Sequence, residues 1–397
     1  MDLIVTIYHA GVLTVLFLIL LTLLANMIFI PVLREQVTCS NQPFVSVLVP
    51  ARNEAHRIAP CLRSLLAQDY SNLEIIVLDD QSDDETTDLV KNFQVGLPED
   101  RLRLIAGQTL PHGWTGKSWA CQQLAHAAKG ELLLFTDADT VHAAGTIAAA
   151  VLQQSKTGAD LLTLWPYQIT KTLAEKLVIP LLFVAACGYL PLWLLVWCRR
   201  LPLMARVVPK HWMRNLGAAT GQFLLFRRGS YEQIGGHESV RDSLVEDVAL
   251  ARAVASETAN GMRLVNCDGT HLTQCRMYES LGEMWEGFTK NIRPLFGQGN
   301  IGFLAAMVGQ FLVLVLPFVN VFLAPGPPTL TELLLIYSIR LSAALRYRTS
   351  WLSVVLHPVG YSLALAIALN SFRRTAGQGV RWKGRTYQGA GSSQEKG

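Results

Sequence analysis

Three acidic clusters in the sequence adjoin apolar runs, where a fold can hold carboxylates in fixed positions. The first is Asp79-Asp80-Gln81-Ser82-Asp83-Asp84, directly after the strand-like run 73–78. A carboxylate at a strand end can accept hydrogen bonds from a base NH or a ribose hydroxyl. The same residues also describe a helix start, with Ser82 as the cap and Asp83 and Asp84 complementing the dipole. Both readings hold together if Ser82 to Asp84 cap while Asp79 and Asp80 face a pocket. The second cluster is Thr136-Asp137-Ala138-Asp139, after Leu132-Leu133-Leu134-Phe135. Alternation puts Asp137 and Asp139 on one side, where close carboxylates repel unless a cation lies between them. Mn²⁺ or Mg²⁺ suits such a pair, because hard cations take oxygen ligands and share them with phosphate. A solvated turn is the chemically silent alternative. The third is Glu246-Asp247, at the start of the apolar helical run 248–254. These acids are either helix-capping groups or the source of a general base that takes a proton from an acceptor hydroxyl.

Lys117 follows Gly113-Trp114-Thr115-Gly116. Glycines on its near side would let its amine approach phosphate closely. The alternative is an ordinary turn followed by a helix starting at Ser118. His112 and His237 have no metal-ligand partners at useful spacing and are expected to make local hydrogen bonds.

From Phe44 the pattern changes to short apolar runs broken by polar turns, the elements that must hold these groups. The run 45–50 is a strand ending at Pro50, 58–66 has helical spacing, and 73–78 is a second strand. A helix is expected from Ser82 to Val90, with further strands at 102–106 and 131–135. Strands alternating with helices imply a parallel α/β sheet with ligands at the carboxyl ends of its strands.

The chain has 397 residues, 51% hydrophobic and only 16% charged, where soluble domains carry roughly a quarter charged residues. The missing charge is absent from a few long apolar stretches and near normal between Arg34 and Lys176. That is the profile of a soluble catalytic unit joined to membrane segments. A net charge of +4 without a stacking motif or basic stripe argues against nucleic acid. Seven scattered cysteines without a C-x-x-C spacing argue against zinc and a disulfide framework, and for a reducing compartment. Residues 3–33 exceed the roughly 20 residues that cross a bilayer, so 1–34 reads as an uncleaved anchor with Arg34 inside. The run 177–198 contains Pro180, Gly188 and Pro191. One crossing there would separate the acidic clusters, so 177–212 reads as interfacial or re-entrant. The stretches 301–324, 330–345 and 351–369 make a membrane region at 301–370, with Arg346 and Arg348 in a cytoplasmic loop. Three full crossings would leave the basic tail 371–397 outside, so the stretch with His357-Pro358 and Gly360 is the candidate to dip without crossing. Residues 389–397 read as a flexible end. Arg199-Arg200 and Arg373-Arg374, beside apolar segments, suit anionic lipid head groups.

Taken jointly, Val49-Pro50-Ala51-Arg52-Asn53-Glu54, Asp79-Asp80-x-Ser82-x-Asp84, Asp137-x-Asp139 and Glu246-Asp247 resemble the family 2 glycosyltransferases of GT-A fold over about 44–293. Gly113-Trp114-Thr115-Gly116-Lys117, Gly221-Gln222-Phe223, Gly235-Gly236-His237-Glu238 and Trp382-Lys383-Gly384-Arg385 narrow the resemblance to the hopene-associated and carotenoid glycosyltransferases. The resemblance implies an α/β GT-A nucleotide-sugar-binding domain at 44–298, Rossmann-like with a mixed, mainly parallel sheet, flanked by N-terminal and C-terminal transmembrane helices. By the same resemblance Pro50, Arg52, Glu54 and Asp80 line the nucleoside pocket, with Asp79 beside them. Asp137 touches ribose or sugar, Asp139 holds the divalent metal on the diphosphate, and Asp247 is the base, with Glu246 next in line. The family's Q-x-x-R-W is replaced here by Gln274-Cys275-Arg276-Met277-Tyr278, which counts against a processive polysaccharide synthase. Arg276, Lys290 or Arg293, with Lys117, are then the candidates to meet the diphosphate.

The expected activity is inverting transfer from a nucleoside diphosphate sugar, UDP-linked before GDP-linked. The acceptor is a hydroxyl or carboxyl of a carotenoid- or hopanoid-like molecule at the cytoplasmic membrane face. Ceramide, diacylglycerol or polyprenyl phosphate as acceptor, and a non-catalytic membrane scaffold, remain open. A nucleotidyltransferase would want a Gly- and Arg-rich loop after the first strand, and a transporter would not carry so large a polar half.

Overall fold

A computed structural model of the chain describes residues 2–35, 42–296, 299–377, 380–382, 385–388 and 392–394. The chain divides into two compact units. One comprises Ile30–Ile169, Leu194–Met277 and Arg381–Gly397, and the other Met1–Phe29, Thr170–Trp193 and Tyr278–Val380.

The first unit is built on strands β1 (Val45–Ala51), β2 (Leu73–Asp79), β3 (Leu102–Ala106), β4 (Leu132–Phe135), β5 (Thr140–His142), β6 (Leu161–Trp165), β7 (Tyr167–Gln168), β8 (Leu224–Arg227), β9 (Leu264–Asp268) and β10 (Thr273–Cys275). Runs such as Leu73-Glu74-Ile75-Ile76-Val77-Leu78 are buried on both faces, as the strands of a covered parallel sheet must be. The main sheet has the order β3-β2-β1-β4-β8-β6-β9. Its neighbours pair in parallel except β8, which runs antiparallel to both β4 and β6. The sheet is therefore mixed and mainly parallel. A small second sheet joins β10 to β5 and β7. Helix Ile58–Leu66 turns Ile58, Cys61, Leu62 and Leu65 inward at helical spacing and covers the main sheet.

Register places the chemistry. Ala51 pairs with Asp79 and Leu48 with Phe135, so the chain leaves β1, β2 and β4 at one edge with Arg52, Asp80 and Thr136 next in line. At the opposite ends of the strands, Glu74 is 2% exposed. It accepts from Ser46 Oγ at 2.6 Å, Lys129 N at 2.7 Å and Arg103 Nη1 at 3.0 Å. One charged side chain thereby ties β1, β2, β3 and the approach to β4.

Two helix starts differ from expectation. The helix after β2 begins at Thr86, because Gln81 takes a left-handed φ of +57° and the intervening residues form a turn. Ser82 is thus not its cap. The helix holding Lys117 begins at Gly116, with Thr115 as a cap whose side chain accepts from Ser118 N.

In the other unit Asp2–Phe29 is one 28-residue helix, at the place of the expected anchor. The segment 173–200 forms Leu173–Val178, Leu181–Tyr189 and Trp193–Arg200, interrupted at Pro180 and around Pro191. Asn26 bridges the second interruption, donating to the carbonyls of Cys187 and Leu190 and accepting from Trp193 N, each within 2.8 Å. By length and apolarity Leu3–Phe29 and Leu173–Arg200 each suffice to cross a membrane among the described residues. Interruption is compatible with the re-entrant reading of 177–212, while length also admits a crossing. The C-terminal stretches form Asn300–Leu314, Leu316–Leu323, Pro327–Tyr347, Leu352–Val355 and His357–Gly377. None of these alone is long and apolar enough to cross, because the first two are short and the longer ones carry Glu332 and Arg340 or Arg373 and Arg374. Asn300–Leu314 reaches that measure only when taken with Leu281–Phe296 as one bent span. Leu281–Phe296, expected within the 44–298 domain, belongs to this helical unit. Lys383, Gly384 and most of 389–397 lie outside the described residues, apart from a strand at Ser392–Gln394.

The Glu74 contacts are charge-assisted and buried, so Glu74→Gln should lower stability by about 1.5–3 kcal/mol. A thermal melt of the purified variant checks this, and an unchanged midpoint would show that the tie contributes little.

Candidate active site

The loop after β1 and the loop after β2 are knitted together. Arg52 Nη1 donates to the Asp80 carbonyl at 2.8 Å. Asn53, at φ +53°, donates from its N–H to Ser82 Oγ at 2.9 Å and accepts on its side chain from Asp83 N at 3.0 Å. Glu54 N donates to Thr86 Oγ1 at 2.8 Å, and Ala55 N to Asp84 at 3.1 Å. Pro50 precedes this knot within β1. Asp79 is used up inside it, accepting from Ser82 N at 3.2 Å and Thr87 Oγ1 at 2.7 Å. Asp79 therefore shapes the loop, and Asp80, 4% exposed, is the acid next to it.

Beyond β4, Thr136 is fixed by its N–H on the Leu48 carbonyl at 3.1 Å and its hydroxyl on the Gln222 carbonyl at 2.8 Å. Ala138 packs into the core at 2% exposure, while Asp137 and Asp139 on either side remain half-buried. The alternation expected from sequence is kept in burial although the strand itself has ended. Asp139 accepts from Thr140 Oγ1 at 3.3 Å and from the thiol of Cys275 on β10. Arg276 follows directly.

The second and third acidic clusters meet around one amine. Lys117 Nζ lies 2.7 Å from Asp137 Oδ1 and 2.9 Å from Glu246 Oε1. Asp247 is not at the cap position of helix Glu246–Ser256, which is Val245 with no side-chain bond, although it does receive one first-turn N–H. Its Oδ2 accepts from Gly221 N at 2.7 Å and its Oδ1 from Val248 N at 2.8 Å. Glycine at 221 leaves the room in which the amine lies, since a Cβ there would sit 2.5 Å from Lys117 Nζ and 3.2 Å from Asp137 Oδ2. Gly221 enters because β8 pairs antiparallel with β4, setting Leu224 opposite Phe135. Sequence reasoning used Gly221-Gln222-Phe223 only as a family signature and missed its place in the site. The available signal was a glycine just ahead of an apolar strand.

Burial opposes the Lys117 charge, but Asp137, Glu246 and Asp247 hold its amine well above the usual lysine range. Burial, then the Glu246 carboxylate, push Asp247 up to about 6, while Lys117 and the Val248 N–H pull the other way. Such a carboxylate is ionised at neutral pH yet basic enough to accept a proton. His237 is buried against Tyr231, with Nδ1 and the hydroxyl 2.8 Å apart, as a local hydrogen bonder. Lys290 and Arg293 belong to the helical unit, where Arg293 Nη2 donates to Asn300 Oδ1 at 3.1 Å and the guanidinium lies over the Phe303 ring.

Among the described residues no group of three or more His, Cys, Asp or Glu is arranged to hold an ion. Asp137 and Asp139 still fit one. They are half-buried oxygen donors on either side of the buried Ala138, and Mg²⁺-like cations need only one or two carboxylates when substrate phosphates complete the shell.

Residues 46–235 match the family described as Glycosyl transferase family 2. The 4,4'-diaponeurosporenoate glycosyltransferase of Staphylococcus aureus strain MRSA252 is 25% identical over 365 residues, covering 87% of this chain and 89% of that protein. That of strain Newman is 25% identical over 364 residues with the same coverage. Among solved structures, the mannosyltransferase PcManGT of Pyrobaculum calidifontis, in complex with GDP-Man and Mn²⁺, aligns with a TM-score of 0.51 at 20% identity, over 94% of this chain and 97% of that one. The fold is GT-A, as the mixed sheet order and this likeness agree. The chain is thus a glycosyltransferase, and its residues 46–235 form a glycosyl transferase family 2 domain.

Proposed function

We propose that this transferase is membrane-bound and moves a sugar, with inversion, from a nucleoside diphosphate sugar to a hydroxyl or carboxyl of a lipophilic, carotenoid-like acceptor at the cytoplasmic face. The observation that carries the reading is Asp247, held by the Gly221 N–H with a raised proton affinity, in one cluster with Lys117 and Asp137. Relatives named for 4,4'-diaponeurosporenoate, similar along 87% of the chain, support the acceptor class. The apolar helix Leu3–Phe29 supports membrane attachment, and the neighbour solved with GDP-Man and Mn²⁺ supports the donor and metal classes. In this reading 1–34 anchors the chain, the sheet-bearing part of 44–298 is the catalytic domain, 301–370 lies in the membrane and 371–397 is the cytoplasmic tail.

Asp247 takes the proton of an acceptor hydroxyl as its oxygen attacks the anomeric carbon and the bond to the diphosphate breaks. Arg52 and Asp80 hold the nucleoside, with Glu54 and Pro50 shaping the same loop. Lys117 balances Asp137 and Glu246 before the donor arrives and meets its phosphates afterwards, with Arg276, which follows Cys275 in sequence, as a second basic group for them. Asp139 and Asp137 would hold Mn²⁺ or Mg²⁺, which when bound neutralises charge on the departing diphosphate.

Chelation should abolish transfer, and Mn²⁺ or Mg²⁺ should restore it. Asp139→Asn should lose most activity at an unchanged melting temperature. Full turnover in excess chelator would remove the metal from this account. Asp247→Asn should cut turnover of a hydroxyl acceptor by about 10²–10⁴ while sparing donor affinity and melting temperature. A carboxyl acceptor is already ionised at neutral pH and needs no base, so equal losses on both acceptor types would assign Asp247 to positioning alone.

The raised proton affinity also predicts a pH dependence. The base form of Asp247 is present above pH about 6, so activity on a hydroxyl acceptor should fall as pH drops through that value. Lys117 favours the ionised form, so Lys117→Met should move the acid limb to higher pH. An acid limb that stays in place would uncouple Lys117 from the base.

A further inference from the structure

Within the sheet-bearing unit, residues 194–215 continue helix Trp193–Arg200 and then form Pro202–Val207 and Lys210–Asn215. No Asp or Glu occurs between Glu175 and Glu232, yet Arg199, Arg200, Arg206, Lys210 and Arg214 all fall here. Large apolar residues of the same segment face outward. Leu203 and Val207 are 74% exposed and Trp212 62%. A groove of about 320 Å³ runs between the first two of these helices and residues 258–264, and Leu195, Arg199, Arg206 and Arg263 line it. No carboxylate lines it. Among the described residues no acid pairs with Arg199, Arg200 or Arg206, whereas neighbouring Lys210 is paired with Glu257.

A water-facing surface does not ordinarily gather exposed leucine, valine and tryptophan around arginines that lack acids. An amphipathic element lying in a bilayer interface does, with apolar residues among acyl chains and bases at the phosphates. Chain continuity favours a lipid over an acidic protein. The groove is lined by Leu195 and Arg199 from the basic end of Leu173–Arg200, itself apolar and long enough to cross a membrane. Arginine suits the ligand too, because its planar fork can hold two phosphate oxygens at once.

We propose that this groove binds the phosphate head group of an anionic membrane lipid, with Arg199 and Arg206 as its ligands and Leu203, Val207 and Trp212 in the acyl layer. The site is independent of donor and acceptor, so its test needs neither. Full-length protein in neutral detergent is titrated with phosphatidylglycerol, phosphatidylcholine of the same chain length, or inorganic phosphate, and bound lipid is counted by native mass spectrometry. One phosphatidylglycerol should be held about tenfold or more tightly than phosphatidylcholine, and Arg199→Gln/Arg206→Gln should erase that preference for one lipid. Inorganic phosphate at equal concentration should not displace it. Arg206→Glu alone, on an exposed side chain, should also erase it, which keeps the test open if the double variant does not fold. Equal retention of both lipids, an unchanged preference in the variants, or displacement by phosphate would each overturn the proposal.

Discussion

The site rests on one amine. Asp137, Glu246 and Asp247 are three carboxylates from two distant parts of the chain, brought close together. Without a cation they would repel one another and resist ionisation. Lys117 Nζ, within 2.9 Å of Asp137 and Glu246, supplies that cation. Asp247 sits next to the amine without taking its contact, and is left with a raised proton affinity and a backbone N–H to hold it.

That placement depends on the antiparallel insertion of β8 into an otherwise parallel sheet. Parallel strands deliver their loops to one edge, which explains Arg52, Asp80 and Asp137. A strand running the other way begins at that edge, so the residues entering β8 arrive beside those leaving β4. Gly221 enters there, and its missing side chain is the room that Lys117 occupies. The Glu74 tie anchors the same strands at their opposite ends, where no chemistry is proposed.

The helical unit solves a different problem with the same economy of polar groups. Helices broken in an apolar setting leave backbone groups that need partners. Asn26 satisfies three of them around Pro191. Glu332, fully buried, meets His9 Nδ1 at 2.7 Å and links the first helix to Pro327–Tyr347.

The residue order by itself determined the first four strands, the acids at strand ends and the long apolar first helix, because each is written in short-range pattern: apolar runs, an abrupt carboxylate, a long stretch without charge. It also carried the family, since Pro50 to Glu54, Asp80, Asp137, Asp139 and Asp247 recur in one order. Tertiary structure alone decided how those acids divide their work. Asp79 looks equivalent to Asp80 in sequence, but Ser82 and Thr87 consume it. Ser82 looks like a helix cap until the left-handed Gln81 turns it toward Asn53. Asp247 looks like a cap until the Gly221 N–H claims it from 26 residues away. Arg293, a candidate for the diphosphate, donates to Asn300 and lies over the Phe303 ring, contacts that no spacing in the sequence foretold. Each of these outcomes depends on which distant group arrives within hydrogen-bonding distance. That is set by strand register and pairing direction, which no local run of residues encodes.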